Sequence, residues 1–484
     1  MLLSRLVEPL SLPFYGRDVE VTGITEDSRQ VREGYLFFAY RGFSSDGNLF
    51  VEQALERGAC GVVTDSEKTF ARLRKRGVPV LKVSSPRRAL ALLSARFYQN
   101  PERELSIVGI TGTNGKTTTA LLTFEALNRL SAGAGYIGTL GYGTSLKSLA
   151  PLGMTTPSPP VFFRILREFV NSGCRFAVCE VSSHALELER VYGVNFRVGV
   201  FTNLTPEHLD FHRELHSYFL AKERLFFSSE LSLVNSDDRW GRVLSGLRGA
   251  FPGELLTYGR EAREFRIVGF SGGLLELSFR GELLSIPSSL RGDFNAYNLA
   301  ASAGILLLLG FEPSSVAGLF EGIKVPGRLE EVYPGVFVDY AHTPDALQKL
   351  LETVSSFTSG RLITVFGCGG ERDREKRAPM GRIAKTLSDI VIITSDNPRR
   401  EEPEKIIADI LRGVPSREGV FVIPDRREAI FKALSLKNPE DSVVIAGKGH
   451  EDYQIIGPEK IPFSDREAVR EFYERRGDCE ARRR

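Results

Sequence analysis

The stretch SIVGITGTNGKTTTALLTFEAL, residues 106–127, constrains this chain more than any other. An apolar run, Ile107 to Ile110, leads into Gly112, Gly115 and Lys116, and a helix is expected from Thr117. Strand, glycine-bearing loop and helix in that order can wrap backbone N–H groups around phosphate oxygens, where the helix N-terminus adds roughly half a positive charge. Lys116 can reach the terminal phosphates, and Thr117 can offer a hydroxyl to magnesium. The rest of the loop is Gly112, Thr113, Asn114, Gly115 and Thr118. The spacing departs from G-x-x-x-x-G-K-[ST] in one respect. Counting back from Gly115, the first glycine falls on Ile110, while Gly109 is one residue early and Gly112 lies inside the loop. The loop points to ATP. What is done with the nucleotide has to come from elsewhere in the chain.

A chain of 484 residues suggests about three domains at ~150 residues each. Its 42% hydrophobic and 26% charged residues are those of a soluble globular protein. A net charge of +2 gives no reason to expect nucleic acid or an anionic membrane as partner. The start, MLLSRLVEPLSLPF, is interrupted by Arg5, Glu8, Pro9 and Pro13 and does not read as a signal peptide. No apolar run approaches the ~18 residues of a membrane span, and GILLLLGF at 304–311 reads as a buried helix end. Cys60, Cys174, Cys179, Cys368 and Cys479 form no C-x-x-C pair and suggest free thiols in a reducing cytoplasm. Cys368 sits in a glycine-rich turn with nothing basic adjacent to activate it, so it reads as a passive small residue.

The expected domains are 1–102, 103–325 and 326–484. The first holds short strands and a helix, and ends in the polar connection QNPEREL. In the second, strands (LSIVGI, FAVCEVS, RVGVFTN, LSLVNSD) alternate with helices, which implies a mostly parallel sheet. Period-two runs and glycine turns at 254–287 suggest a small antiparallel addition. After KVPGRLEEVYPG the alternation resumes with GVFVDYA, RLITVFG, IVIITSD, GVFVIP and SVVIAG, with helices expected from Pro344, Pro379 and Pro403. This is a second, Rossmann-like sheet whose functional loops belong at the strand carboxyl ends. GDCEARRR reads as a frayed basic tail.

Polar residues cluster at three places in the middle segment. Glu180 ends an apolar strand just before Ser182, Ser183 and His184; TNLTPEHLDFH carries His208, Asp210 and His212; and Lys222 lies on an expected helix. Glu180 and His208 suit a magnesium and phosphate edge. His208, His212 and His216 also have the i, i+4, i+8 spacing of a zinc helix, but H-E-x-x-H is absent and Thr205-Pro206 suggests a loop or helix start. A purely structural reading, with the histidines as caps or core donors, stands beside these.

Taken together, GTNGKTT, EVSSHALELERV, FTNLTPEHLDFH, YFLAKERLF, GDFNAYNLAA, PGRLE and DYAHTPDAL occur in the order seen in the Mur ligases, the cytoplasmic enzymes that build the peptidoglycan stem peptide. The resemblance covers nearly the whole chain. EDSRQVREGYLFFAYRGFSSDG resembles the uridine-binding region of the MurE type, and GCGGERDREKRAPMG, TSDNPRREEP and IAGKGHEDYQ resemble its amino-acid site.

The resemblance implies an ATP-dependent ligase that acts on UDP-N-acetylmuramoyl-L-alanyl-D-glutamate. ATP phosphorylates the side-chain carboxylate of D-glutamate, and the amine of meso-diaminopimelate attacks the acyl phosphate. It implies Lys116, Glu180, His208 and Lys222 as catalytic residues. Lys222 is expected to be carbamylated, so that with Thr117, Glu180 and His208 it holds magnesium. Asn298, Arg328 and Asp339 fall to the nucleotide, with His342 nearby. Glu26, Ser28, Phe43, Ser44, Ser45, Thr155, Thr156, Ser182 and Arg190 fall to the UDP-substrate. Arg372, Asp396, Asn397, Pro398, Arg399, Gly447 and Glu451 fall to the amino acid. One departure is Leu188, where relatives often carry glutamine. A monomer is expected, with no nucleic acid and no membrane insertion. The L-lysine-adding ligase and a folylpolyglutamate synthase-like ligase are the alternatives within this scaffold, and a phosphate-loop kinase or a non-catalytic binding protein are those outside it.

Overall fold

A computed structural model describes residues 1–42 and 45–481, with the side chains of Pro9 and 476–481 left aside. Phe43 and Ser44 therefore lie outside the described residues. Among the described residues, three of the four sheets organise the chain.

The first sheet has four parallel strands in chain order: Gly23–Thr25, Tyr35–Ala39, Gly61–Thr64 and Val80–Lys82. Its strands are nearly continuous apolar runs because both faces are covered. Leu36 and Phe38 point to one side, against Leu90 and Leu93 of the helix Pro86–Phe97. Phe37 and Ala39 point to the other, against Val51, Ala54 and Leu73, as the two-residue period of a strand requires.

In the ten-stranded middle sheet, Ser106–Thr111 lies between Phe176–Glu180 and Phe196–Phe201, parallel to both. The carboxyl end of that strand is thus flanked by the ends of two others, where a ligand crevice forms in open α/β sheets. Ser229–Asn235 and Glu254–Gly259 extend the sheet in parallel. The expectation for 254–287 is therefore met only in part. Glu254–Gly259 is parallel, and the antiparallel strands Phe265–Ser271, Leu274–Phe279 and Glu282–Pro287 continue the same sheet. The helix Asp293–Leu308 ends in buried Gly304, Ile305, Leu306 and Leu307, as the apolar run implies.

The six-stranded third sheet runs Glu330–Tyr333, Val336–Asp339, Ser442–Ala446, Leu362–Phe366, Ile390–Ile393, Val420–Val422, and only its first pair is antiparallel. Helices start at Pro344 and Pro403, where a fixed φ and a missing N–H suit the first turn. The helix expected from Pro379 begins two residues earlier, at Arg377. The frayed tail expected from Gly477 is corrected over its described part: the helix Asp465–Ala481 includes Gly477 to Ala481. That helix is held by Ala468, Val469 and Phe472 against the sheet, and by Tyr473 stacked on Tyr333 with centroids 3.5 Å apart.

At the start of this helix Asp465 pairs with Arg426 at 2.8 Å, both side chains 0% exposed. Removing one partner of such a pair leaves an uncompensated buried charge. Asp465→Ala is expected to lower the unfolding free energy by about 3–5 kcal/mol, read as a shift of the urea midpoint.

Candidate active site

The phosphate loop folds more tightly than the G-x-x-x-x-G-K spacing, and a neighbouring loop explains how. Asn203 accepts from the Asn114 N–H at 2.9 Å and donates to the Asn114 carbonyl at 3.0 Å. The Thr202 hydroxyl donates to that carbonyl at 2.6 Å. Gly112 (φ +146°) and Gly115 (φ +87°) are glycines for steric reasons: a Cβ on the first would overlap Thr202 Oγ1, and one on the second would come 2.6 Å from Asn298 Oδ1. The FTNLT strand end thus braces the loop, with Asn298 beside its second glycine. Asn298 itself donates to Asn295 at 2.9 Å and accepts from Thr119 at 3.3 Å. Thr118 is buried in the first helical turn.

Lys116 and Lys222 converge on one acceptor. Lys116 Nζ donates to the carbonyls of Gly112 and Thr113 at 2.9 and 2.7 Å, and Lys222 Nζ donates to the same Gly112 carbonyl at 2.8 Å. Lys222 is buried, with its ammonium 4.5 Å from the centre of the Tyr218 ring one helical turn earlier. Burial, and then the Lys116 charge, hold the Lys222 pKa well below the ordinary lysine range. Burial also lowers Lys116, while Glu207 and Glu180 pull it back up.

Glu180 is fully buried and accepts four hydrogen bonds: from Tyr136 Oη at 2.6 Å, the Thr139 N–H at 2.9 Å, Thr139 Oγ1 at 3.0 Å and Thr117 Oγ1 at 2.9 Å. Arg328, from the start of the third segment, donates to the same Thr117 hydroxyl at 3.1 Å. The Asp339 carboxylate accepts the N–H groups of Leu329 and Ala341, each at 2.6 Å, and so shapes the loop that carries Arg328. Two more contacts join the third segment to the loop region. Asn114 donates to Asp345 at 3.0 Å, and His342 Nε2 lies 3.0 Å from Glu207 Oε1. Burial opposes ionisation of Glu207, but the His342 hydrogen bond and the Lys116 charge outweigh it and hold the carboxyl below its usual range.

His208 (φ +56°) caps the short helix Leu209–His212 and meets His184 edge-on, with centroids 4.8 Å apart. Burial lowers its pKa to about 4. The zinc-helix alternative fails on geometry. Arg213 (φ +68°) breaks the helix, His212 Nε2 bonds Ser183 Oγ at 2.9 Å, and His216 lies against Trp240. Among the described residues no group of three His, Cys, Asp or Glu is placed to hold a metal. Likewise, no hydrogen bond among them links Glu180 to His208 or Lys222. Cys368 is passive, its thiol pushed up to about 12 by burial.

On the side of the first segment, Arg190 donates to the Thr156 carbonyl at 2.8 Å, the Thr156 hydroxyl donates to the Glu180 carbonyl at 2.9 Å, and the Ser182 N–H donates to Thr156 Oγ1 at 3.0 Å. Thr155 Oγ1 lies 3.1 Å from Thr139 Oγ1. Burial lowers the Arg190 pKa, while Glu26 and Tyr40, reaching over from the first sheet, raise it. Tyr40 donates to Glu26, Ser28 donates to Gln53 at 2.8 Å, and the Ser45 carbonyl accepts from Gly42 at 2.8 Å. Leu188 caps the carboxyl end of the helix Ser183–Glu187 and adds no polar side chain.

In the third segment, Asn397 donates to Glu451 at 3.0 Å and accepts from Lys448 at 3.2 Å and from the Ile455 N–H at 2.9 Å. The Asp396 carbonyl accepts from Gln454 at 2.6 Å, the Pro398 carbonyl from the Glu401 N–H at 3.1 Å, and the Gly447 N–H donates to the Asp339 carbonyl at 3.0 Å. Arg399 (φ +53°) donates to the Gly370 carbonyl at 2.7 Å. Burial and the neighbouring Arg372 lower the Arg399 pKa, so two like charges face one region. Arg372 also acts on His184, which brings this region towards the middle segment. The sequence reading missed Glu207, Tyr136, Thr139, Thr202, Asn203 and Lys448. Glu207, Thr202, Asn203 and Lys448 stand inside motifs already singled out, whereas Tyr136 and Thr139 carry no local signal.

Fold and site together define a three-domain enzyme in which a phosphate loop is enclosed between its own sheet and a second α/β domain. Profiles described as "Mur ligase family, catalytic domain", "Mur ligase middle domain" and "Mur ligase, glutamate ligase domain" match residues 20–98, 110–306 and 327–449. A protein of Aquifex aeolicus named UDP-N-acetylmuramoyl-L-alanyl-D-glutamate–2,6-diaminopimelate ligase is 43% identical over 461 residues, 93% of each chain. A solved structure of that name superposes with a TM-score of 0.67 at 33% identity, covering 94% of this chain and 95% of the other. MurF ligase from Thermotoga maritima, solved in complex with ADP, shares the fold at 21% identity with a TM-score of 0.61, covering 94% and 97%. The chain belongs to the Mur ligase family. Among the described residues no helix is long and apolar enough to cross a membrane.

Lys116→Ala removes the ammonium nearest the loop carbonyls. Turnover is expected to fall on the order of 10²- to 10³-fold while the melting temperature stays near wild type, checked by phosphate release and calorimetry.

Proposed function

We propose that this chain is the ligase that adds meso-diaminopimelate to UDP-N-acetylmuramoyl-L-alanyl-D-glutamate, through an acyl phosphate, in peptidoglycan precursor synthesis. The observation that carries it is the meeting of the second and third segments at the phosphate loop, in a chain 43% identical to a ligase of that name. Residues 1–102 hold the UDP end, 103–325 the nucleotide and 326–484 the amino acid. The enzyme acts in the cytoplasm as a monomer.

The loop amides and Lys116 bind the ATP phosphates. Lys116 can leave the Gly112 and Thr113 carbonyls for a phosphate oxygen because carbonyls are weaker partners than an anion. Arg328 and the helix N-terminus add positive charge where the γ-phosphoryl is transferred. Thr155, Thr156, Ser182 and Arg190 orient the acceptor; Arg190 lies between Thr156 and the Glu26–Tyr40 pair, so one side chain serves both domains.

Oxygen donors suit magnesium, and Thr117 and Glu180 are hydrogen-bonded to each other beside the loop. Magnesium, when bound, neutralises charge as carboxylate and γ-phosphate approach. Lys222 as an ammonium does not fit a cation site. Its buried, pKa-lowered amine is, however, suited to take up CO2, and the resulting carbamate would be a carboxylate-like ligand in place of a cation.

The amino acid is selected by its far end. meso-Diaminopimelate carries a carboxylate there and L-lysine does not. Arg399, partly buried, and the exposed Arg372 are like charges, and an anion between them relieves their repulsion. Asn397 and Glu451, locked by Lys448, face the ammonium-bearing part of the substrate. The test is phosphate release that depends on both the UDP-dipeptide and the amino acid, with kcat/KM for each amino acid. Wild type is expected to prefer meso-diaminopimelate by roughly 30- to 5000-fold, the equivalent of ~2–5 kcal/mol, and Arg399→Ala to lose that preference. A wild type that prefers lysine, or a variant with unchanged preference, would reject the assignment.

A further inference from the structure

The two arginines of the amino-acid region sit on loops that leave adjacent parallel strands, Leu362–Phe366 and Ile390–Ile393. Both are cationic, so something other than their own interaction must hold them at one spacing. The loops touch through backbone: the Gly370 N–H donates to the Asn397 carbonyl at 3.0 Å, Arg399 Nη1 donates to the Gly370 carbonyl at 2.7 Å, and a Cβ on Gly370 would overlap the Pro398 carbonyl.

Behind this contact lies a buried ion pair. The Arg377 side chain is 0% exposed and grips Glu401, itself 8% exposed, through both ends of its fork: Nη1 to Oε1 at 2.7 Å and Nη2 to Oε2 at 2.8 Å. Arg377 also donates to the Gly369 carbonyl at 3.2 Å and to Asp409 at 3.0 Å. Glu401 Oε2 accepts the Glu371 N–H at 3.2 Å. One carboxylate therefore holds the residue just before Arg372 and stands two residues after Arg399. Asp409 ties the assembly to the helix Pro403–Leu411. A buried ion pair is a poor device for stability, since well-packed apolar residues often replace one without loss. A bidentate fork fixes geometry better than an apolar contact does.

We propose that Arg377 and Glu401 are a positioning pair that fixes the separation of Arg372 and Arg399 and so sets the enzyme's preference for an amino acid with a far carboxylate. This rests on the reading that those two arginines meet that carboxylate. Neither member of the pair touches substrate. The pair acts by stapling one loop to the other.

The test uses the full-length enzyme and phosphate release, with meso-diaminopimelate, L-lysine, ATP and the UDP-dipeptide varied in turn. The Arg377→Met/Glu401→Met double variant removes the fork without burying a lone charge, since Asp409 keeps Arg412 and Arg374 is 70% exposed; Glu401→Gln keeps the shape and serves if the double variant does not fold. The expected result is a 10- to 100-fold rise in KM for meso-diaminopimelate. KM for ATP and for the UDP-dipeptide should stay within twofold, and the meso-diaminopimelate to lysine preference should fall by the same factor as affinity. A purely structural pair would move all three KM values together, or none. If wild type shows the preference, Arg399→Ala loses it and the pair variants keep it, the positioning proposal is overturned and the substrate reading stands. If wild type shows no preference, the substrate reading is overturned and this proposal with it.

Discussion

Two ammonium groups, that of Lys116 and the buried one of Lys222, share one backbone carbonyl, that of Gly112. This arrangement is electrostatically poor, because like charges in a site of low dielectric repel and each is stripped of water. The surrounding polar groups make sense as its answer. Glu207 is kept ionised by His342 from the third segment, Glu180 is kept in place by four donors, and the Gly112 loop is pinned by Thr202 and Asn203. On the proposed reading, a phosphate group at the loop would relieve the first lysine and carbamylation would turn the second from a cation into an anion, so both answer the same repulsion.

The same loop is where the segments meet. Arg328 reaches Thr117, Asn114 reaches Asp345, and Glu207 reaches His342. Each contact joins the phosphate-loop region to the third segment, so the position of one bears directly on the other. On the opposite side, the hydrogen bonds from Glu180 through Thr139 to Thr155, and through Thr156 to Arg190, run towards the first sheet. On the proposed reading, each of two successive transfers needs its own reacting pair ~3 to 3.5 Å apart, and such cross-connections serve that need.

Much of this was legible in the sequence, because strand periodicity and prolines at helix starts are local signals. Helices did begin at Pro344 and Pro403, and the apolar runs at 106–111, 176–180 and 196–201 became neighbouring strands. The failures are of another kind. The strand Glu254–Gly259 looked like part of the antiparallel addition because alternation does not say which neighbour a strand pairs with. The tail beyond Gly477 looked frayed because its anchor, Tyr473 on Tyr333, spans 140 residues of chain. Within the site, the loop spacing looked irregular from residues 109–117 alone; the side chains that correct it come from 202 and 203. Lys448 was passed over although its motif was noted, since only its burial shows that it locks Asn397 against Glu451.

In the working enzyme, Lys222 should be a carbamate rather than an ammonium. Carbon-13 NMR of the full chain in labelled bicarbonate, with magnesium and an ATP analogue present, tests it most directly. A carbamate carbon resonance that is present in wild type and absent in Lys222→Ala is the predicted result. A wild-type spectrum with no carbamate signal under those conditions would contradict the account.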